Sequence, residues 1–290
     1  MTARPQTIQI YLPGGDPRGI RLAEITTRIV QVLEVPRSLL GEFLKMQEAK
    51  QVALYFLVQP GSDTDEPKVY IGQSSDMVMR FGAHDKQKDF WQRALVLISR
   101  THSLTQTHAL YLEWLSIQEA KKAGRYIVMN GNGGSRPYTP APLEADCNEI
   151  YDTGRTLLAT LGHPIFEPVV GASAPEDAPE MLFCKGSGAD GRGYLTDEGF
   201  VVLAKSSGRK ENAQSIKGTA DERFRQRLID AGILQVDGER VVMTKDHLFR
   251  SPSMAAVALV GRTANGWREW KNAAGKTLHA LRRSYDDPAE

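Results

Sequence analysis

Residues 51–58 read QVALYFLV, and residues 68–72 read KVYIG. The first is a continuous apolar run of strand length. The polar loop QPGSDTDEP returns the chain into the second, which reads as its hairpin partner. Upstream, 6–12 (QTIQIYL) alternates like a strand, PGGDPRG is turn chemistry, and 28–35 (RIVQVLEV) is a further strand. Ser38 precedes LLGEFLKMQEA at 39–49, a short amphipathic helix with Leu39, Leu40, Phe43 and Leu44 on one face. Downstream, Ser75 and Asp76 start a helix through Arg80 and Phe81, and 90–98 (FWQRALVLI) is another buried strand. Residues 106–123 form the most helical segment, with Ala109, Leu112, Leu115 and Ala120 as core positions and Gly124 as its stop. The expectation is an α/β (α+β) domain, a small mixed β-sheet flanked by helices.

The chain has 290 residues, more than one core usually organises, so two domains are expected. The proline- and glycine-rich stretch 131–143 has no periodicity and marks a boundary; a helix at 144–161 and a second polar stretch at 168–180 follow. From 181 the composition changes, with strands at FVVLA and RVVMT, a helix at ADERFRQRLIDAG and a hairpin signal at Asp237-Gly238. A last helix runs through 252–260, capped by Ser251 with Pro252 at its first position. The expected organisation is therefore an N-terminal strand/helix arm (1–48), a core domain (49–133), a linker with a helix (134–180) and a second small basic α+β domain (181–290). No run of eighteen apolar residues is present, so no membrane span is expected. The opening MTARPQTIQIYLPGGD lacks a signal-peptide layout, and Cys147 and Cys184 are too few for a disulfide framework or a cysteine zinc site. A cytoplasmic location is expected; the oligomeric state is not written in the sequence.

With 36 basic and 35 acidic side chains the net charge is +1, which at first argues against a nucleic-acid partner. The average hides a segregation. From Phe200 to Arg283 there are sixteen Lys and Arg against eight Asp and Glu, a net of +8, and the remainder carries −7. A basic domain beside an acidic-leaning one suits a protein that holds a polyanion.

Two patterns are set aside. Gly186-Ser-Gly188-Ala-Asp-Gly191 fits the dinucleotide fingerprint, but no helix begins at its glycines, so no nucleotide cofactor is expected. Glu66-Pro-Lys68 fits a nuclease Glu-x-Lys but lies on a loop that cannot present both side chains rigidly. His102, His108, His163, His247 and His279 show no metal-ligand spacing. The sharper constellation is spread over 53–130: Tyr55 and Tyr70 in strands, Arg80 in a helix start, His84 after it, and Glu113 on an otherwise apolar helix. Each is ordinary alone, since strand tyrosines usually belong to the core and helical glutamates to the surface. Together they suit phosphodiester hydrolysis. A lone carboxylate can hold Mg²⁺, Arg80 can neutralise phosphate oxygens, and Tyr55 or His84 can accept or relay a proton.

These residues resemble the GIY-YIG nuclease superfamily over roughly 50–132. Its first motif is Ala53-Leu54-Tyr55 and its second Tyr70-Ile71-Gly72. An arginine eight residues past the motif glycine is Arg80, and a histidine four further on, as in the branch resembling homing endonucleases, is His84. The Ala-x-x-x-Glu helix matches Ala109 to Glu113, and a closing asparagine matches Asn130. GGDPRGIR and VPRS resemble the leader of a bacterial subgroup. Two departures stand out: Ala53 and Leu54 replace Gly and Ile, and Gln73 replaces a lysine that many relatives carry, which shifts weight from Tyr55 as base toward His84. The resemblance implies a GIY-YIG fold and a Mg²⁺- or Mn²⁺-dependent endonuclease acting on DNA. In that reading Glu113 is the metal ligand, Arg80 stabilises the transition state and Tyr55 is the general base. Tyr70 and His84 relay, while Gly72, Gln73 and Asn130 support the site. The alternatives are a catalytically weak nucleic-acid-binding or regulatory protein on that fold, or a nuclease for RNA or single-stranded DNA.

The region from about 181 resembles a domain of unknown function often appended to such nucleases, through GYLTDEGFVVLAKS and KDHLFRSPSMAAVALVGRTANGWREWKNAAGKTL. From the residues alone, Arg262, Trp267, Arg268, Trp270, Lys271 and Lys276 interleave aromatic and basic groups. They are candidates for binding nucleic acid, set against the plainer reading that the tryptophans fill a small core.

Overall fold

A computed structural model of the chain describes residues 5–81, 88–131, 134–168, 180–186 and 188–286. Two compact units are present: residues 1–61 with 66–168, and residues 62–65 with 169–290. Both are mixed α+β, each a sheet flanked by helices, and among the described residues no helix is long and apolar enough to cross a membrane.

The first unit is built on strands β1 (Ile8–Tyr11), β2 (Arg21–Ile25), β3 (Val30–Pro36), β4 (Ala53–Gln59), β5 (Lys68–Ser74), β6 (Arg93–Ser99) and β7 (Ile127–Val128). They lie in the order β1-β2-β3-β6-β4-β5-β7, antiparallel throughout except for the parallel pair β5·β7. The QVALYFLV run is continuous because both faces of β4 are covered, a sandwiching that removes the usual apolar–polar alternation. Leu54, Phe56 and Val58 join Val32, Leu95 and Leu97 in a core closed by helices α2 (Gln106–Ala123) and α3 (Ala141–Thr160). Ala53, Tyr55 and Leu57 join Leu33, Val96, Met77, Phe81 and Trp91 on the other face, with Phe43 of the short α1 (Leu40–Phe43). Each fully buried large side chain contributes about 1.5–3 kcal/mol, so the central strands carry most of this unit's stability.

Residues 1–48 supply three strands of this same sheet. Strand β3 pairs with β6 in unbroken register from Val30↔Ser99 to Pro36↔Arg93. The sequence reading missed β2 altogether. The helix of the 134–180 stretch likewise belongs to the first core, through Cys147, Ile150, Leu157 and Leu158. It starts at Ala141, before the expected 144, because proline is tolerated in a first helical turn and Pro142 sits there.

The second unit has strands β8 (Leu182–Gly186), β9 (Ala189–Thr196), β10 (Gly199–Val202), β11 (Ser207–Arg209), β12 (Leu234–Asp237), β13 (Arg240–Met243) and β14 (His247–Phe249). The order is β12-β13-β11-β9-β10-β14, with β8 also paired to β9. The helices are α4 (Ala220–Asp230), α5 (Pro252–Val260), α6 (Gly266–Glu269) and α7 (Leu278–Asp286). Helix α5 is apolar nearly all round and lies buried on one sheet face. Its approach is close: a Cβ on Gly208 would sit 2.3 Å from the Leu259 carbonyl oxygen. Gly186 and Gly188, the first two glycines of the discarded fingerprint, flank the β8–β9 turn, and Gly191 lies inside β9.

Candidate active site

Tyr55 and Tyr70 come from adjacent antiparallel strands, and Gly72 is the direct cross-strand partner of Tyr55. The tyrosine ring lies across that glycine. A Cβ at 72 would fall 2.4 Å from the Tyr55 hydroxyl oxygen, so no other residue fits without moving the ring. The ring is fully buried, 5.4 Å from Phe81 and 6.4 Å from Tyr70 between centroids, and Phe81 packs in turn on Phe43 and Trp91. This aromatic stack fixes where the hydroxyl points.

Arg80 reaches the same spot from a helical turn over residues 77–81, started by Asp76, whose Oδ1 accepts the Met79 backbone N–H at 3.0 Å. The Arg80 Nε–H donates to the Tyr55 hydroxyl oxygen at 2.8 Å. That bond raises the arginine's pKa further, and it uses the Nε edge, leaving the two terminal nitrogens of the fork for an anion. Burial pushes the Tyr55 phenol well above its ordinary range, although Arg80 opposes this and the Tyr70 and Glu113 charges add to it.

Glu113 projects from α2, a helix set by a Thr105–His108 capping box and ended by Gly124 in the left-handed region at φ 64°. Tyr111, Leu112, Ile117 and Ala120 on that helix face the core; Leu115 is only partly buried, and Glu113 is half-buried. Burial raises its carboxyl pKa and Arg80 is the one charge that pulls it down. Among the described residues it has no hydrogen bond or ion pair. A cation is what would relieve a charged group so placed.

Asn130 follows β7 and clasps β5. Its Oδ1 accepts from the Ile71 N–H at 3.0 Å and its Nδ2 donates to the Ile71 carbonyl at 2.8 Å. Gln73, on the same strand, accepts a hydrogen bond from Gln106 at 2.5 Å, which ties β5 to the first turn of α2. Tyr55, Tyr70, Gly72, Arg80 and Glu113 are thus gathered in one neighbourhood, held by Gln73 and Asn130. His84 lies outside the described residues. One neighbour was missed: Lys88 places its Nζ 4.0 Å from the centroid of the Tyr70 ring. Its only signal was position, a cation between the site helix and the next strand.

The residues present fit a hard divalent cation. Mg²⁺ and Mn²⁺ accept one or two carboxylates and otherwise keep water or take phosphate oxygens. Among the described residues no cluster of three or more His, Cys, Asp or Glu forms, and Glu113 is the carboxylate beside Arg80.

The six C-terminal candidates do not make one patch. Trp270 is fully buried, its Nε1 donating to the Pro252 carbonyl at 3.0 Å and its ring 4.4 Å from that of Phe200. Trp270 cannot stack on a base, which corrects the sequence reading: the small domain needs this ring for its core. Trp267 is partly buried beneath Arg282, and Arg262 is paired with Glu269 at 2.8 Å. Arg268, Lys271 and Lys276 are exposed. Arg225, never a candidate, is the buried cation of this unit. It donates to the backbone carbonyls of Ala258, Arg209 and Lys210, and burial lowers its pKa to about 10.

Comparison with known proteins gives one match: residues 182–282 fit a family model described as a domain of unknown function, DUF4357. No curated protein and no solved structure matches the chain.

Proposed function

We propose that the first unit is a divalent-metal-dependent endonuclease site that hydrolyses DNA phosphodiesters, and that the chain joins a GIY-YIG nuclease domain to its DUF4357 region. The observation that carries this reading is the convergence of Arg80 and the half-buried Glu113 beside a tyrosine pair that only a glycine at 72 permits. Glu113 would hold Mg²⁺ or Mn²⁺, which supplies charge for a phosphate oxygen and for the departing alkoxide. The terminal nitrogens of Arg80 meet the non-bridging oxygens, where charge grows as water adds to phosphorus and the P–O bond to the leaving oxygen breaks.

The geometry changes the role given to Tyr55. Its oxygen accepts from Arg80 and burial disfavours its ionisation, so it is poor at taking a proton and good at aiming the guanidinium. Tyr70, less buried and facing Lys88, is the better-placed phenol for proton relay: it passes its own proton on, to His84 or solvent, as it takes one from the attacking water.

The test is Mg²⁺-dependent digestion of plasmid, single-stranded DNA and RNA by the wild type and by Glu113→Ala. Cleavage of DNA that Glu113→Ala abolishes supports the proposal. Cleavage of RNA alone overturns the DNA assignment. Equal inertness of both proteins on all three substrates gives way to a binding protein on a nuclease fold.

A further inference from the structure

We propose that the exposed part of the second unit's sheet face opposite α5, centred on Phe183 and carrying Lys185, Arg192, Arg209, Arg240 and Lys271, binds the sugar–phosphate backbone of DNA. The inference names the DNA-holding surface for the function proposed above and rests on that reading for its partner.

Which side chains share this face follows from the register. Cβ atoms built on Gly191 and Gly208 point at Leu259 of α5, so their neighbours Asp190, Arg192, Ser207 and Arg209 point the other way. Cys184 and Val241 are in the helix-covered core, which places Phe183, Lys185, Arg240 and Val242 on the open side. Phe183 stands directly opposite Arg192 on one flank and Lys271 on the other; Arg209 stands opposite Arg240. The alternation that puts Trp270 in the core puts Lys271 on the other side. Two contacts agree with the placement: Lys185 Nζ lies 5.4 Å from the Phe183 ring centroid, and an Arg240 terminal nitrogen lies 3.4 Å from the Ser207 hydroxyl.

Five cations thus stand on one face against Asp190 and Asp237. Strands spaced about 4.8 Å apart spread them over roughly 19 Å, from Lys271 across β8, β9 and β11 to β13. Lys185, Arg192, Arg240 and Lys271 are exposed, Arg209 is partly so, and among the described residues none of the five is in an ion pair. Structural arginines elsewhere in the chain are tied up, as Arg155 is by Glu167 and Arg262 by Glu269. A row of five cations against two acids around one half-buried ring suits a polyanion tracked through its phosphates without reading bases.

The test measures binding of the full-length protein to duplex and to single-stranded DNA of equal length, in EDTA, across a salt series. The face variant is Arg192→Ala/Arg240→Ala/Lys271→Ala, and its charge-matched control is Lys217→Ala/Arg223→Ala/Arg227→Ala on the helical side. The face variant is expected to lose at least tenfold in affinity and about 2.7 from the log–log salt slope on duplex DNA. The control should lose little, and Arg192→Lys/Arg240→Lys should bind like wild type. Loss on one DNA form only supports the face and identifies the form it tracks. Unchanged binding by the face variant, or an equal loss in the control, overturns the proposal. Because no metal is present, a protein that proves unable to cut leaves this result standing by itself.

Discussion

Glu34 and Glu113 are carboxylates of the same unit, and burial acts on both in the same direction. Glu34 is 1% exposed, which alone would raise its pKa strongly, yet His163, Arg21 and Arg93 hold it below the ordinary range. The His163 Nε2 is 3.2 Å away and an Arg93 terminal nitrogen 3.0 Å away, while Arg21 closes the third side. At Glu113 only Arg80 opposes burial, and the pKa rises. The difference separates two uses of a buried acid. One has its charge settled by three partners inside the fold; at the other, burial is opposed by Arg80 alone.

The sharpest way to break that comparison is Glu113→Gln. Cleavage should fall on the order of 10³-fold, while the unfolding midpoint stays level or rises, because a charge disfavoured by the fold has been removed. A midpoint several degrees lower would make Glu113 structural, like Glu34. The mirror experiment is Glu34→Gln, which strands Arg21 and Arg93 and should cost about 3 kcal/mol in urea unfolding. An unchanged urea midpoint would mean that the cluster is solvated in practice. Gly72→Ala should come next, at about 2 kcal/mol with lowered activity, since the added methyl meets the Tyr55 hydroxyl; a crystal structure of that variant with Tyr55 and Arg80 unmoved would refute it.

The subtlest signature is in pH dependence. The depressed pKa of Glu34 means stability fully present above its ordinary value of 4.5 and lost as pH falls through the depressed one. Glu113 has the opposite sign: stability present below its ordinary value is lost as pH rises through its raised one. Chemical unfolding from pH 3 to 7 should therefore show Glu34→Gln converging on wild type in acid and Glu113→Gln gaining on it toward neutrality.

Much of the central sheet was legible. QVALYFLV read as a continuous apolar strand and KVYIG as its partner, and both are. The α2 signals were local: apolar residues at helical spacing and Gly124 as the stop, while the Thr105 cap at its start went unread. What escaped was non-local or masked by stronger signals. Strand β2 reads RLAEI, where Arg21 and Glu24 interrupt the apolar pattern; Arg21 is there to meet Glu34 across β3, and no neighbour in sequence announces it. The site residues were placed by motif spacing, but their energetics were not. Nothing in Tyr55's sequence context tells that Arg80 donates to it, and that bond is what argues against the phenol as a base. Trp267 and Trp270 differ by one helical turn and look alike in sequence, yet only the packing of α5 decides that Trp270 goes fully inside.

The clasp of Asn130 on Ile71 has a consequence for how the molecule behaves in a crowd. Strand β7 is two residues long, so it covers β5 only at Lys68 and Val69. Beyond it the rim of the sheet at Ile71 is sealed by one side-chain amide acting as a counterfeit peptide group. Without that seal, an N–H and a C=O beside the site would stand open, the template on which sheets recruit strands from other chains. The residue that steadies the site thereby also removes that template at Ile71.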